Sequence, residues 1–354
     1  MALLFIDSFD HYSTSEWGRK YDAVTGSGAI VQVGDTNGIE PRNGLQSLRL
    51  GNNNSFRKTF PSNNTWIMGI GVQLNAPIGG SQDHDLFTIK DFTVTSISTS
   101  QLSLQYEDDK KFRIVRGDDI VGTILATSTD TFDLDDGWHY VEWECVINQT
   151  TGSFKAQFDG VEIAGLTLTN QDTVFTGGNE FGNGVVITGL VGTNSDCWFD
   201  DLYIANGDTP GVIAMLGDMK VDALFPKADG NYEEFTTSSG TDSFSLVNEL
   251  PPTTDDSTYV ESQTANEKDS FDMDDAGNFV IHGAQHVVFL RKTDVNRRKM
   301  KHLTRVAGND HKGDLVRMGD KYTMKTNMWE TNPQTGSRWL HSEINGAEFG
   351  MEVI

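Results

Sequence analysis

One ten-residue segment, 65–74, alternates so regularly that it restricts what the chain can fold into. Successive side chains of a β-strand point to opposite faces, so a period of two over this length indicates a strand with one fully apolar face. The apolar residues at even positions are Trp66, Met68, Ile70, Val72 and Leu74. Gly69 and Gly71 lie on the other face, where they let a second backbone or a ligand approach closely.

Other segments in the first two-thirds of the chain have the same strand character. Glycine is abundant, at 36 of 354 residues, and long Ala- or Leu-rich stretches are absent. This composition favours many short strands joined by turns and excludes a helical bundle, so the predicted fold class is all-β. The other predicted strands are 47–50, 56–60, 102–106, 112–115, 123–127, 138–148, 153–158, 185–190 and 197–204.

The charge balance narrows the classes of function. Lys and Arg number 27 and Asp and Glu number 51, so the formal net charge is −24. Such a surface repels nucleic-acid phosphates and anionic lipid headgroups. No segment approaches the roughly 20 apolar residues of a spanning helix, and the apolar run 2–6 is too short for a signal peptide. We expect a soluble protein without an export signal that neither binds nucleic acid nor inserts into a membrane.

The two cysteines, Cys145 and Cys197, do not form a disulfide scaffold or a four-ligand zinc site in a chain of this length. Both lie in apolar, strand-like segments, which favours buried free thiols. A disulfide between them remains the alternative, because strands distant in sequence can be neighbours in space.

The sequence predicts two domains. A polar stretch containing Gly and Pro follows the last of the predicted strands and is typical of a linker. We place a first domain at 1–206, a linker at 207–211 and a smaller, β-sandwich-like domain at 212–354. Strand patterns are fewer in the second domain, and the clearest are 279–282 and 285–291.

Basic residues concentrate in the segment 291–317. Nine Lys and Arg face three Asp there, a local balance of +9 − 3 = +6 in a chain of net charge −24. One interpretation is a solvated face of strands and loops. The other is an assembly surface that docks an acidic neighbour, such as another copy of this chain, centred on Arg297, Arg298 and Lys299.

Three motifs resemble the concanavalin A-like and laminin-G-like jelly rolls. They are the strand 137–145 with a partner ending at 158–160, the closing strand 198–204 (Trp-Phe-Asp-Asp-Leu-Tyr-Ile), and the opening segment 4–10. The resemblance covers 1–206 and implies a jelly-roll sandwich. It also implies that the first and last strands pair, which brings their acidic ends together.

The same resemblance implies a calcium site. In jelly-roll carbohydrate proteins an Asp of the closing strand shares a calcium ion with carbonyl oxygens of the N-terminal segment. Asp200 or Asp201 matches that Asp here, with Asp7 nearby if the first and last strands pair. Calcium prefers carboxylate and carbonyl oxygens. The alternative is that these Asp residues cap turns or accept hydrogen bonds from backbone N–H groups.

The second half of the chain resembles virion proteins of tailed bacteriophages. Segments 216–221, 225–230, 291–294 and 332–336 occur in the order and spacing of those proteins, and the ending 347–353 fits as well. This resemblance implies a structural component of a phage virion, on the tail or the head, with other virion proteins as partners. By analogy with phage surface proteins, it also implies a homotrimer.

A pair of acidic residues raises the question of catalysis. Retaining glycosidases use two carboxylates about 5 Å apart, and Glu142 and Glu144 are two positions apart on one predicted strand. The laminarinase-like jelly rolls keep their catalytic pair on another strand, in a Glu-x-Asp-x-x-Glu pattern that is absent here. We therefore expect no enzymatic activity and interpret Glu142 and Glu144 as a solvent-facing strand edge.

Glycan binding requires an exposed aromatic platform surrounded by hydrogen-bonding groups. Trp17 and Trp339 have polar neighbours in sequence and are the candidate platforms. The tryptophans that lie in apolar strands are expected in the core instead; they are Trp66, Trp138, Trp143 and Trp198.

These observations lead to one main hypothesis and two alternatives. The main hypothesis is an exterior, tail-associated virion protein that binds host-surface carbohydrate weakly and gains avidity from many copies. The first alternative is a protein that decorates the capsid or forms a head fibre. The second is a jelly-roll glycoside hydrolase or depolymerase.

Overall fold

A computed structural model describes residues 2–26, 28–32, 39–51, 54–78, 85–93, 100–118, 122–175, 178–190, 196–207, 214–250 and 256–354. The chain divides into two units. Unit 1 comprises 1–10 and 21–221, and unit 2 comprises 11–20 and 222–354. This division falls later than the expected linker, whose residues 208–211 lie outside the described residues. The reason is that 214–221 form hydrogen bonds with the strands of unit 1, as described below.

Unit 1 is built from short strands, as its alternating sequence predicts. In chain order they are β1 (Ala2–Asp7), β2 (Ala23–Thr25), β3 (Gly28–Gln32), β4 (Gln46–Leu50), β5 (Ser55–Asn63), β6 (Thr65–Leu74), β7 (Asp85–Lys90), β8 (Ser100–Tyr106), β9 (Phe112–Arg116), β10 (Thr123–Thr127), β11 (His139–Val146), β12 (Gly152–Phe158), β13 (Val161–Glu162), β14 (Leu168–Gln171), β15 (Gly182–Thr188) and β16 (Cys197–Asn206).

These strands form two antiparallel sheets. Sheet A has the order β13-β12-β11-β6-β16-β4-β3, with β1 on β16 and β14 on β12, and sheet B has the order β10-β9-β8-β7-β15-β5-β2. The first and last strands pair, with Ile6 opposite Tyr203 and Asp7 opposite Leu202. Two stacked sheets closed by this pair constitute the lectin-like jelly-roll sandwich, so the predicted fold class is confirmed.

The core of unit 1 lies between sheets A and B. The ring centroids of Phe87 on sheet B and Trp143 on sheet A are 6.0 Å apart. Trp66, Trp143 and Trp198 are at most 1 % exposed, which confirms their expected place in the core. Trp138 is only half-buried, and its indole N–H donates to the carbonyl oxygen of Glu40 at 2.8 Å.

Both cysteines belong to sheet A and are buried free thiols, as predicted. Burial raises the pKa of Cys145 to about 12 and raises that of Cys197 as well. Since the thiolate is the nucleophile, neither side chain has the low pKa of a catalytic cysteine.

Unit 2 is also β-rich. Its strands are β17 (Pro226–Glu233), β18 (Thr236–Thr237), β19 (Val260–Glu261), β20 (Lys268–Met273), β21 (Ala284–Leu290), β22 (Lys299–Val306), β23 (Asn309–Arg317), β24 (Thr323–Trp329) and β25 (Glu348–Val353). Sheet C has the order β17-β20-β25-β22-β23, and two small sheets pair β18 with β19 and β21 with β24. The helices are short: α1 (Trp17–Lys20), α2 (His341–Ile344) and a 3₁₀ turn, Phe244–Leu246.

Two apolar clusters form the core of unit 2 and join its sheets. One places Leu290 of β21 against Met300 of β22. The other surrounds Trp339 and Phe349. Among the described residues, no helix has the length and apolar character needed to cross a membrane.

The sequence prediction for 279–282 is wrong, since this segment is a bend and not a strand. The N–H of Phe279 donates to the carbonyl of Gly277 at 2.9 Å, which turns the chain. As a result Phe279 and Val280 are 63 % and 62 % exposed and do not join a sheet. The neighbouring prediction, 285–291, corresponds to β21.

Candidate functional site

The face of sheet A that points away from the sandwich core carries a buried network of acidic and phenolic groups. Glu142 lies at its centre, because β11 pairs with β6 on one side and β12 on the other. Its carboxylate is fully buried, so the prediction of a solvent-facing strand edge is wrong for Glu142. Oε1 accepts hydrogen bonds from the Tyr203 hydroxyl at 2.6 Å and from the Gly217 N–H at 3.0 Å. Glu144, on the same face, is half-buried.

Residues 214–221, which we call the covering segment, lie over this network. The N–H of Leu216 donates to the Tyr203 hydroxyl at 3.2 Å, and that of Val221 donates to Asp201 Oδ1 at 2.7 Å. With the bond from Gly217 to Glu142, three backbone amides fix the covering segment on sheet A. This segment lies in the part of the chain that was expected to form the second domain (212–354), and it is instead a structural part of unit 1.

The glycines of β6 accommodate this network, which confirms that their face is closely approached. A Cβ atom on Gly69 would lie 2.6 Å from Cε1 of Tyr203 and 2.8 Å from Cγ of Glu142. On Gly71 it would lie 2.6 Å from Cδ of Arg42. The approaching groups are side chains of this unit, and a side chain at either glycine would displace them.

Arg42 neutralises part of the acidic network. Its guanidinium forms ion pairs with Asp201 and Asp218 and lies 4.9 Å from the ring centroid of Tyr140. The backbone N–H of Arg42 also donates to Asp200 Oδ2 at 3.0 Å. One arginine thus binds both Asp residues of the closing strand.

A β-bulge explains how two consecutive Asp side chains are both fully buried. The register between β16 and β6 shifts between Asp200 and Tyr203, and Asp201 has a positive φ of 53°. A bulge re-aims side chains that would otherwise point to opposite faces. The two carboxylates consequently both contact Arg42.

The acidic residues predicted to bind calcium do not fit that ion. Asp200 accepts backbone N–H groups on both oxygens, from Asn43 at 3.2 Å and Asp201 at 2.9 Å among others. Asp7 accepts the Phe9 N–H and the Tyr21 hydroxyl, and Asp201 is paired with a guanidinium. These carboxylate oxygens therefore already accept hydrogen bonds from the protein, whereas a calcium ion requires oxygen lone pairs that are free to coordinate it. Within the described ranges, no three His, Cys, Asp or Glu side chains converge as metal ligands.

The two tryptophans predicted as glycan platforms are buried, so that prediction is wrong. Trp17 is 6 % exposed and Trp339 is 2 % exposed. Trp17 begins α1, which packs on β24, and the Trp339 indole N–H donates to the Trp329 carbonyl at 2.9 Å. The neighbouring Arg19 and Arg338 are exposed while both indoles are buried, so neither tryptophan can stack on a sugar.

The predicted assembly residues Arg297, Arg298 and Lys299 lie together in unit 2. They line a cavity of about 670 Å³ whose other basic residues are Lys292 and Arg317. The charge of this region is evident from the sequence. The cavity is not, because Arg317 belongs to β23, which the pairing with β22 places opposite Lys299.

Three buried carboxyl groups have raised pKa values, each chiefly because burial disfavours the charged form. The pKa is about 6 for Asp10, about 7 for Glu142 and about 7 for Asp269. The folded protein therefore holds these protons at pH values where the unfolded chain has released them. The contribution of these three groups to the free energy of unfolding is expected to fall as pH rises from about 4 to about 7.

Replacing Glu142 by glutamine should remove part of this pH dependence. Glutamine keeps the Oε1 acceptor for Tyr203 and carries no charge, so at pH 8 we expect the variant to be more stable by roughly 1–3 kcal/mol. At pH 4.5, where the wild-type carboxyl is protonated, the two should differ little. Urea unfolding at both pH values measures this. Glu162→Gln, at an exposed site, is the control and should leave the pH dependence unchanged; equal pH dependence in all three proteins would refute the assignment.

Comparisons with known proteins give no family for the chain. No family model matches the sequence, and no curated protein matches it. Among solved structures, the carbohydrate esterase vb_24B_21 from Shiga toxin-encoding bacteriophage phi24B is 13 % identical, with a TM-score of 0.36, and the match covers 57 % of this chain and 100 % of that one. The exoplasmic/lumenal domain of VIP36, in a Ca²⁺/Man3GlcNAc-bound form, is 9 % identical, with a TM-score of 0.36 and coverage of 60 % and 93 %.

The endo-1,3-beta-glucanase from Streptomyces sioyaensis is similar to the same extent: 11 % identity, a TM-score of 0.36, and coverage of 58 % of this chain and 97 % of that one. Lectins and enzymes thus occur together among these structures, and similarity at this level does not bear on function. The protein's own sheets and strand pairing define its class, a two-unit β protein whose unit 1 is a lectin-like jelly roll.

Proposed function

We propose that the chain is a non-catalytic structural protein of a tailed-bacteriophage virion, on the exterior of the tail. The observation that carries the non-catalytic role is the closed acidic face of unit 1. Glu142 is fully buried, and its Oε1 already accepts two hydrogen bonds. A glycosidase needs two carboxylates that reach opposite sides of a sugar. The place in the virion rests on the phage-like order of motifs in the second half of the chain.

The proposed role is to contact an acidic partner. Arg297, Arg298 and Lys299 form the assembly surface for it, because their charge contrasts with the net charge of −24. In a homotrimer three copies act together, so host-surface carbohydrate that the jelly roll of unit 1 binds weakly is held by avidity. A position on the capsid surface is the alternative location for the same role.

A glycoside hydrolase is the second candidate, and one observation favours it. Glu142 has a pKa of about 7, chiefly because of burial, as expected of a general acid. Glu144 lies on the same face of β11, two positions away. This candidate requires the covering segment to leave sheet A, which breaks its three backbone hydrogen bonds.

Release of reducing ends from host polysaccharide separates the two candidates. We expect none from the wild-type protein, and none from Glu142→Gln or Glu144→Gln. Release by the wild type that falls at least 100-fold in a folded Glu142→Gln variant would establish the hydrolase instead. In parallel, cryo-electron microscopy of virions that carry the protein should show it on the tail; absence from purified virions would refute the structural role.

A further inference from the structure

The basic cavity of unit 2 has four walls held by backbone hydrogen bonds. The N–H of Lys292 donates to Gly319 at 2.8 Å, that of Met318 to Arg298 at 3.1 Å, and that of Ile354 to Lys299 at 3.0 Å. These bonds join the loop after β21 to the end of β23, and the start of β22 to both β23 and the end of β25. Because the walls are tied together, the basic side chains are held around one volume.

Most of the positive charge in this cavity is uncompensated by the rest of the described chain. Arg298 is paired with Asp294, at 2.6 Å from Nη2 to Oδ2. For Arg297, Lys299 and Arg317, no carboxylate of the described residues lies within ion-pair distance. Within the described part of the chain, the Lys292 ammonium donates to two backbone carbonyls, at 2.9 and 2.7 Å. The cavity therefore contains four cationic side chains without a carboxylate partner among the described residues, together with Arg298, which is ion-paired.

Two of these cations are held in an unfavourable position. Lys299 and Arg317 are directly opposite each other on β22 and β23. Like charges directly opposite each other on neighbouring strands repel and destabilise the pairing. An anion between them removes that repulsion. Arg297 and Arg317 contribute planar guanidinium groups, which bind phosphate and sulfate through paired N–H donors.

We propose that this cavity binds a ligand carrying at least two phosphate or sulfate groups. Two dianionic or several monoanionic groups balance the four cations of Lys292, Arg297, Lys299 and Arg317. The volume of about 670 Å³ lies within the roughly 300–1,000 Å³ typical of small-ligand sites. A concave site of this size fits a phosphorylated or sulfated sugar unit, whereas a protein partner presents a flatter and larger surface.

This inference rests on the proposed function, since it specifies the chemistry of the acidic partner. It explains how a protein of net charge −24 binds a polyanion. At 0.1 M salt, charges further away than about 10 Å are largely screened, so the cavity's own side chains dominate the interaction.

The test is calorimetric titration of the full-length protein with pyrophosphate, with heparin as a sulfated polysaccharide and with uncharged dextran. We expect binding of pyrophosphate, binding of heparin that pyrophosphate competes away, and no binding of dextran. The double variant Arg297→Glu/Arg317→Glu should weaken pyrophosphate binding at least tenfold. Both side chains are exposed, so the variant is expected to fold; an unchanged melting temperature checks this.

Lys325→Glu is the matched control. Lys325 is an exposed lysine of β24 that does not line the cavity, and its replacement should change the affinity less than twofold. The proposal is overturned if the wild type binds neither anion, or if the control weakens binding as much as the double variant does. It is also overturned if the double variant abolishes only self-association, which would identify a second copy as the partner. None of these results alters the outcome of the polysaccharide-hydrolysis test, so failure of this proposal is distinguishable from failure of the proposed function.

Discussion

Replacing Arg42 by methionine is expected to lower the free energy of unfolding of unit 1 by about 3–5 kcal/mol, because it leaves a buried carboxylate without its counter-ion. The Arg42 side chain is 10 % exposed and that of Asp201 is fully buried. Methionine retains much of the packing volume but none of the charge. Urea unfolding, followed by hydrogen exchange to assign the loss to unit 1, measures the effect.

Arg49→Met is the matched control for this prediction. Arg49 also pairs with an aspartate of unit 1, Asp196, at 3.3 Å, but both side chains are about one-third exposed. Its replacement should cost less than about 1 kcal/mol. Adding Asp201→Asn to Arg42→Met should recover part of the loss, since it removes the unpaired charge. Equal costs for the two arginine variants would contradict the role given to burial.

Replacing Trp339 by alanine is expected to lower the free energy of unfolding of unit 2 by about 3–5 kcal/mol, as for other buried aromatic side chains. The indole belongs to the cluster around Phe349, and its N–H is bonded to the Trp329 carbonyl. Thermal unfolding with hydrogen exchange again assigns the change to one unit.

The adjacent residue provides the control. Leu340 is 61 % exposed, so Leu340→Ala should change stability by no more than about 0.5 kcal/mol. An exposed glycan platform at Trp339 would give the opposite pattern: loss of carbohydrate binding at unchanged stability. That outcome would restore the sequence-based interpretation of this tryptophan.

The sandwich itself could be predicted from the sequence, because local alternation reports directly which face of a strand is apolar. Segment 65–74 is β6 residue for residue, and 123–127 is β10. The pairing of the first and last strands followed from the resemblance to jelly rolls, and the register of β1 with β16 confirms it.

The burial of particular polar and aromatic side chains could not be predicted in this way, because it depends on contacts between distant segments. Asp200 and Asp201 are both buried through a bulge that has no local sequence pattern. Glu142 is buried by a segment about 75 residues away in the chain. Trp339 has polar neighbours in sequence but packs on β24, and Phe279 is apolar yet exposed.

The late position of β16 has a consequence for synthesis of the protein. This strand fills the centre of sheet A, between β6 and β4, and also receives β1. About 190 residues separate β1 from β16, and at a translation speed of roughly 5–20 residues per second the ribosome needs about 10–40 s to produce them. During that interval the nascent chain exposes unpaired strands that are prone to join other chains. Release of residues 197–206 from the ribosome is therefore the event that protects unit 1 from aggregation.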